Sequence, residues 1–225
     1  AIDWVLRILA DQEVGILDSI EEIGAVGHRM VHGGEAFASS VEITPEVVHK
    51  IEQCSVLAPL HNPPNLRGYH AAHSALPGVP HFAVFDTAFH QTMPAHAFLY
   101  GIPFQLYTKH RLRKYGFHGT SHRYVSLEAA RLLGREDDAS FRLITCHLGN
   151  GCSMAAVRGG RSVDTSLGLT PLEGLVMGTR SGDLDPAIIF YLGRLTGDSP
   201  QEIESMLNQQ SGLKGICGIT DIRQI

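Results

Sequence analysis

The spacing of apolar residues predicts an alternation of helices and strands in the first part of the chain. A helix is predicted over residues 1–12 by the helical spacing of Ile2, Val5, Leu6 and Leu9. Short apolar runs predict strands over residues 25–31 and 80–85. Between them, Thr44-Pro45 is typical of a helix start, so a helix is predicted to about residue 56. A turn at residues 60–65 precedes another predicted helix that ends at residue 76.

The second part of the chain changes pattern. A helix is predicted over residues 121–133, closed by Gly134. Three strands follow at residues 141–148, 152–157 and 162–165, separated by Asn-Gly and Gly-Gly turn signals, and they predict an antiparallel meander. Capping-box patterns at residues 170–173 and 199–202 predict the starts of two further helices. A meander followed by helices indicates an α/β domain, and we place the boundary between two domains near residues 87–90.

Composition and charge exclude several classes of protein. The 225 residues have a net charge of −5, which argues against a nucleic-acid partner. No apolar run has the length of a membrane span, so we expect no membrane partner. The four cysteines are scattered, which fits reduced thiols in the cytoplasm. Thirteen histidines raise the question of a metal site, but the i, i+4 pairs His28/His32 and His118/His122 lack the HExxH glutamate. We therefore expect neither pair to form a metal cage.

A few residues combine an accessible backbone with charge. The segment around Gly149-Asn150-Gly151 exposes backbone N–H groups that could bind phosphate, although the same residues also suit an ordinary hairpin. Asp86 follows a predicted strand, as a magnesium-linked carboxylate or as a cap. Arg29 precedes a glycine turn, and Arg180 and His118 are flanked by glycines. This favours anion binding, whereas most arginines simply lie at the surface. No GxxxxGK[ST] motif occurs, so a P-loop kinase is excluded.

Taken together, these segments resemble the acetokinase family. The resemblance rests on blocks that occur in the family's order over nearly the whole chain: VGHRMVHGG (26–34), LAPLHNPPN (57–65), FDTAFHQT (85–92), YGFHGTSH (115–122), CHLGNG (146–151), TPLEG (170–174) and GTR (178–180). It implies an α/β fold of the actin and sugar-kinase (ribonuclease H-like) type. Residues 1–89 and 90–225 would then be parts of two related domains, both incomplete, and the complete protein would be a homodimer.

The resemblance also implies roles for individual residues. Arg29 and Arg180 are similar to the pair that holds the substrate carboxylate and the phosphoryl group, and His118 to the residue that binds the transferring phosphoryl group. Asp86 is similar to the family's magnesium-linked aspartate, with no direct metal ligand assigned.

The remaining roles implied by the resemblance concern binding. The pocket for the substrate's alkyl group is matched by Val31, Leu60, Phe117 and Pro171, and His61 is similar to a further active-site histidine. The phosphate-binding loop is matched by His147, Leu148, Gly149, Asn150 and Gly151. Asp221 and Arg223 match the adenosine pocket, in a block that is shortened relative to the family.

The implied reaction is reversible phosphoryl transfer from ATP, with Mg²⁺ or Mn²⁺, to acetate, which gives ADP and acetyl phosphate. The acetate carboxylate would attack the γ-phosphoryl group directly and in line. The alternatives are a propionate or butyrate kinase, or a non-catalytic nucleotide-binding fragment. Because the family's first phosphate-binding strand and its final glycine-rich nucleotide segment have no match here, we expect these 225 residues alone to be inactive.

Overall fold

In the computed structural model, which describes residues 2–59 and 61–225, the chain divides into two units, Ala1–Ala88 and Phe89–Ile225. The first unit contains the strands β1 (Val26–Met30), β2 (Val41–Glu42) and β3 (His81–Phe85) in the order β1-β3-β2. Strands β1 and β3 are parallel and in register, with Met30 opposite Phe85. The strands predicted at residues 25–31 and 80–85 are therefore confirmed, and their carboxyl ends lie side by side.

The helices of the first unit are α1 (Ile2–Leu9), α2 (Pro45–Cys54) and α3 (Asn62–Ala75), with a short 3₁₀ helix at Ile20–Glu22. The predicted cap of α2 is confirmed, because the Thr44 side chain accepts a hydrogen bond from the Val47 N–H. The prediction of a turn through residue 65 was wrong. Helix α3 already begins at Asn62, since prolines fit a first helical turn, where the backbone N–H groups have no partner within the helix.

The core of the first unit is a continuous apolar cluster between the sheet and the helices. Apolar side chains of β1, β3, α2 and α3 meet there, and the buried members are Met30, Phe37, Ile43, Ile51, Leu66, Tyr69, Ala83 and Phe85. This cluster fixes the strand ends on which the residues of the first unit's site stand.

The second unit contains the predicted meander. Strands β4 (Arg142–Leu148), β5 (Cys152–Arg158) and β6 (Arg161–Thr165) form an antiparallel sheet in that order. Helix α6 (Gly119–Leu132) contacts β4. It begins after His118, which has a left-handed backbone conformation (φ 58°). As the sequence predicted, His122 is helical and His118 is not.

Shorter helices complete the second unit: α4 (Ala95–Phe98), α5 (Phe104–His110), α7 (Ala187–Thr196), α8 (Pro200–Gln209) and α9 (Gly212–Cys217). Two 3₁₀ helices cover Ala88–Thr92 and Ile222–Gln224. The capping box predicted at Ser199 is confirmed, with the Ser199 side chain bound to the Glu202 N–H and the Glu202 side chain bound back to the Ser199 backbone. In the described part of the chain, no helix is both long enough and apolar enough to cross a membrane.

The helix predicted to start at Thr170-Pro171 does not form. Residues 166–186 are all described, and none of them is helical. The capping box needs the Glu173 side chain, but that carboxylate instead accepts a hydrogen bond from the Tyr100 hydroxyl and pairs with Lys114 at 3.1 Å. Gly174 then has φ 104°, which no helix allows. Tertiary contacts have outcompeted the local cap.

Candidate active site

The parallel strand pair of the first unit brings Arg29 and Asp86 together. Arg29 is the penultimate residue of β1, and Asp86 directly follows β3, where its N–H donates to the Met30 carbonyl. The Arg29 Nε donates to Asp86 Oδ1 at 2.9 Å, and Nη2 donates to Oδ2 at 2.7 Å. This is a two-point guanidinium–carboxylate pair, the geometry that best fixes an arginine.

Burial of this pair is one-sided. The Asp86 side chain is 3% exposed, whereas the Arg29 side chain is 67% exposed. The hydrogen bond with Asp86 raises the pKa of Arg29, so the guanidinium stays charged. The arrangement presents a fixed positive charge to solvent from a buried anchor.

The turn after β1 is held by side chains of α3. The Val31 N–H donates to Asn65 Oδ1 and the His32 N–H to Asn62 Oδ1, both at 3.1 Å. At Gly33 a β-carbon would lie 2.9 Å from the Phe85 ring, so only glycine fits. Val31 is thereby half-buried at a fixed position next to Arg29. Of the other residues predicted here, His61 is the residue that precedes α3, and Leu60 lies outside the described residues.

In the second unit, His118 stands in a cluster of histidines and hydroxyl groups. Its ring stacks on that of His147, with 4.1 Å between the ring centroids. Its Nδ1 lies 2.8 Å from Ser153 Oγ, and the same hydroxyl lies 2.7 Å from His122 Nε2. His147 is held in turn by Ser121 Oγ, 2.9 Å from its Nδ1. His118 and His122 are therefore linked by a shared serine.

The glycine turn and Arg180 face the outer side of His118. A β-carbon placed on Gly151 would lie 3.3 Å from Arg180 Nη1 and 3.5 Å from His118 Nε2. The absence of that β-carbon leaves a space on which a guanidinium and an imidazole nitrogen converge. The turn is also tied to the Arg180 loop, because the Gly178 N–H donates to the Asn150 carbonyl at 3.1 Å. A guanidinium and an imidazole nitrogen beside a glycine turn are groups that can bind an anion.

Arg180 is held by the backbone and not by an acid. Its Nη1 donates to the Pro171 carbonyl at 3.0 Å, and among the described residues it pairs with no carboxylate. Burial lowers its pKa. A half-buried guanidinium without a counter-ion gains most from an anionic ligand, because it has lost hydration and has not regained a partner charge. Arg180 is the stronger anion-binding candidate of the two predicted arginines.

Other residues predicted from the sequence are more dispersed. Phe117 is buried at 2% exposure, Pro171 is half-buried, and Leu148 is exposed. Asp221 and Arg223 bind each other, with Arg223 Nη2 2.7 Å from Asp221 Oδ2, near the end of the chain. The structure thus joins Pro171 to Arg180 and Asp221 to Arg223.

A divalent cation at this site would need oxygen ligands from the protein. Within residues 2–59 and 61–225, no group of three or more His, Cys, Asp or Glu side chains could hold a metal. Mg²⁺ usually keeps several waters and binds one or two carboxylates together with substrate phosphates. Asp86 can supply one such carboxylate, so it fits a shared site completed by a ligand and not a protein cage.

Sequence reasoning did not find the supporting hydroxyl groups. Ser153 and Thr145 are buried, and both bind His122. The signal available was the position of Ser153 on the same buried face of β5 as Ala155 and Val157. A buried serine in such a position needs a polar partner, but the sequence does not say which one.

Comparison with known proteins identifies relatives along the whole chain. The model of the acetokinase family matches residues 1–225. The acetate kinase of Desulfitobacterium hafniense (strain DSM 10664 / DCB-2) is 57% identical over 226 residues, which cover 100% of this chain and 56% of that protein. The acetate kinase of Caldanaerobacter subterraneus subsp. tengcongensis is 55% identical with the same coverage.

Solved structures agree with these relatives. The crystal structure of Porphyromonas gingivalis acetate kinase has a TM-score of 0.93 and 52% identity, covering 99% of this chain and 56% of that one. A propionate kinase from Francisella tularensis has a TM-score of 0.92 and 50% identity, with the same coverage. The actin and sugar-kinase type of fold is thereby confirmed. The chain spans about half the length of the curated relatives it matches.

Proposed function

The chain belongs to the acetokinase family, and we propose that the protein containing it reversibly transfers a phosphoryl group from ATP to acetate, giving ADP and acetyl phosphate. The observation that carries the proposal is the convergence of Arg180 Nη1 and His118 Nε2 on the space beside Gly151. A phosphoryl group in that space would meet both an imidazole nitrogen and a guanidinium. Among the described residues, that guanidinium has no carboxylate partner.

The chemistry needs charge stabilisation more than proton transfer. Acetate is ionised at neutral pH, as Asp and Glu side chains are, so its oxygen can attack phosphorus in line without a general base. The barrier comes from repulsion between two anions and from charge on the phosphoryl oxygens. In this proposal Arg180 and His118 bind the phosphoryl group, and Arg29 binds the acetate carboxylate while Asp86 fixes the guanidinium of Arg29.

A divalent cation, Mg²⁺ or Mn²⁺, belongs to the proposal as part of the nucleotide complex. When bound, it supplies neutralisation of the phosphate charges. Asp86 would contribute its carboxylate, directly or through a bound water, without leaving Arg29.

The remaining assignments follow the family resemblance. Val31, Leu60, Phe117 and Pro171 would line the alkyl pocket, with His61 nearby in the active site. His147 and the segment 148–151 would bind nucleotide phosphates, and Asp221 with Arg223 would border the adenosine. We further propose that residues 1–89 and 90–225 are parts of two family domains, and that the complete protein is a cytoplasmic homodimer.

Propionate is the second candidate substrate. It is favoured by the likeness to the Francisella tularensis propionate kinase, which matches this chain nearly as well as the acetate kinase does. A single methylene changes selectivity by only roughly 1–3 kcal/mol.

The test is an acyl-phosphate assay on the complete gene product with acetate, propionate and butyrate in parallel. We expect the highest kcat/KM with acetate. A higher value with propionate would replace the substrate, and no acyl phosphate from any acid would leave a non-catalytic nucleotide-binding protein.

A further inference from the structure

Behind His118 lies a buried chain of hydrogen bonds that ends at Thr145. Thr145 Oγ1 is 2.7 Å from His122 Nδ1, His122 Nε2 is 2.7 Å from Ser153 Oγ, and Ser153 Oγ is 2.8 Å from His118 Nδ1. Thr145, His122 and Ser153 are all at most 2% exposed. Water therefore has little access to this chain of hydrogen bonds, so the three side chains must donate their polar hydrogens to one another or to His118.

These groups permit two directions of donation. A serine hydroxyl has a single hydrogen, so Ser153 donates to one histidine and accepts from the other. Burial lowers the pKa of His122 to about 4, so at neutral pH this ring carries one hydrogen, on one of its nitrogens. Choosing that nitrogen fixes every other bond. Hydrogen on Nε2 of His122 makes Ser153 donate to His118 Nδ1, and hydrogen on Nδ1 of His122 reverses the chain.

The Thr145 hydroxyl favours the first direction. There it donates to His122 Nδ1 at 2.7 Å. In the reverse direction it would have to donate elsewhere, and the acceptor it faces, the Ala155 carbonyl, is 3.5 Å away. A buried hydroxyl hydrogen in so long a bond is unfavourable, whereas an acceptor that lacks a second donor is tolerated better. In the first direction, the hydroxyl hydrogens of Thr145 and Ser153 and the ring N–H of His122 all take part in short hydrogen bonds.

Several neighbours of His118 also oppose a charged ring. Its neighbours include His147 on β4, His122 on α6, His90, and Arg180 in the loop before α7. Each is cationic or becomes cationic when protonated. The nearby Cys152 thiol brings no negative charge, because burial raises its pKa. None of these named neighbours supplies a negative charge that would favour a charged His118 ring.

We propose that Thr145, His122 and Ser153 are positioning residues that hold His118 as the neutral tautomer with its hydrogen on Nε2. That nitrogen is the one directed at the space shared with Arg180. His118 then offers a hydrogen bond to an anion without adding a charge. If the proposed function holds, that anion is the transferring phosphoryl group, and the uncharged donor stabilises it without binding the ground state as tightly as a second cation would.

The first test reads the tautomer directly. The complete protein is labelled with ¹⁵N in its histidine rings, and His118 is assigned by comparison with His118→Gln. We expect one protonated nitrogen on His118, identified as Nε2 by its couplings to both ring C–H groups, and an unprotonated Nδ1. Hydrogen on Nδ1, or on both nitrogens at neutral pH, would overturn the proposal. This measurement does not depend on whether the protein phosphorylates acetate.

The second test breaks the chain at Ser153. Ser153→Ala removes the donor to Nδ1, so we expect hydrogen to appear on Nδ1 in part of the population. We also expect kcat to fall about three- to tenfold with little change in KM for acetate, the effect of one hydrogen bond felt at the transition state. Ser126→Ala is the matched control, because Ser126 is also buried in this unit but its hydroxyl donates to the Arg123 carbonyl. An unchanged His118 spectrum in Ser153→Ala, or an equal shift in Ser126→Ala, would contradict the proposed chain.

Discussion

Mild acid should destabilise this protein through histidines that are buried in the neutral form. Burial lowers the pKa of His32 to about 4, of His90 to about 3 and of His122 to about 4, from an ordinary value of 6.5. All three rings are at most 1% exposed. Protonating them in place would bury a charge, so the protons bind the unfolded chain first.

The sign and size of the effect follow from these pKa values. Above pH 6.5 these histidines are unprotonated in both the folded and the unfolded state, and the stability is fully present. Below pH 6.5 they bind protons in the unfolded state but not in the folded state, so stability falls until the pH reaches the folded pKa. Between about pH 7.5 and about pH 5, each histidine contributes a loss of about 2 kcal/mol. From these three rings alone, the first unit, which contains His32, should lose about that much, and the second, which contains His90 and His122, should lose roughly 4 kcal/mol. These losses are large beside a typical stability of about 5–15 kcal/mol.

Urea unfolding at a series of pH values measures this dependence, and His32→Asn isolates one contribution. The His32 Nδ1 accepts from the Gly34 N–H at 3.0 Å, and an asparagine amide oxygen can accept the same bond without titrating. We expect the variant to lose stability less steeply in acid, by about one proton, or about 1.4 kcal/mol per pH unit. His110→Gln, at an exposed helix end, is the control and should keep the wild-type slope. If His32→Asn also keeps it, the buried-histidine explanation is wrong.

Three further predictions concern the candidate site, each measured as kcat and KM on the complete protein. Arg180→Ala should lose several kcal/mol of transition-state stabilisation, measured as a fall in kcat/KM, while thermal unfolding stays unchanged. A near-normal kcat would contradict its role. Gly151→Ala should reduce kcat/KM at least tenfold, because the new methyl group occupies the space beside Arg180 Nη1. Gly68→Ala, in a helix where a β-carbon meets nothing within 4 Å, should leave activity intact, and equal effects of the two glycine changes would remove the steric argument. Val31→Ala should improve propionate relative to acetate by up to roughly tenfold, whereas an unmoved ratio of kcat/KM values would place Val31 outside the alkyl pocket.

The sequence by itself determined the elements whose signals are local. The strand that ends before Asp86, the Asn-Gly hairpin and the capping box at Ser199 all formed as predicted, because apolar periodicity, turn residues and caps act over a few neighbours. The family could likewise be identified from short motifs, because their residue types and their order along the chain are properties of the sequence itself. The same local logic failed at residues 170–173, where a complete capping pattern gave no helix.

Only the tertiary structure decided which polar groups meet. Arg29 and Asp86 are 57 residues apart and pair because two parallel strands end in register. The Glu173 carboxylate accepts a hydrogen bond from Tyr100, 73 residues away, and does not form the predicted local cap. Ser153 links His118 to His122 because strand β5 places its hydroxyl within hydrogen-bond distance of both rings. Burial then sets the pKa of the histidines, and burial depends on every element that surrounds a side chain, which no local pattern of residues records.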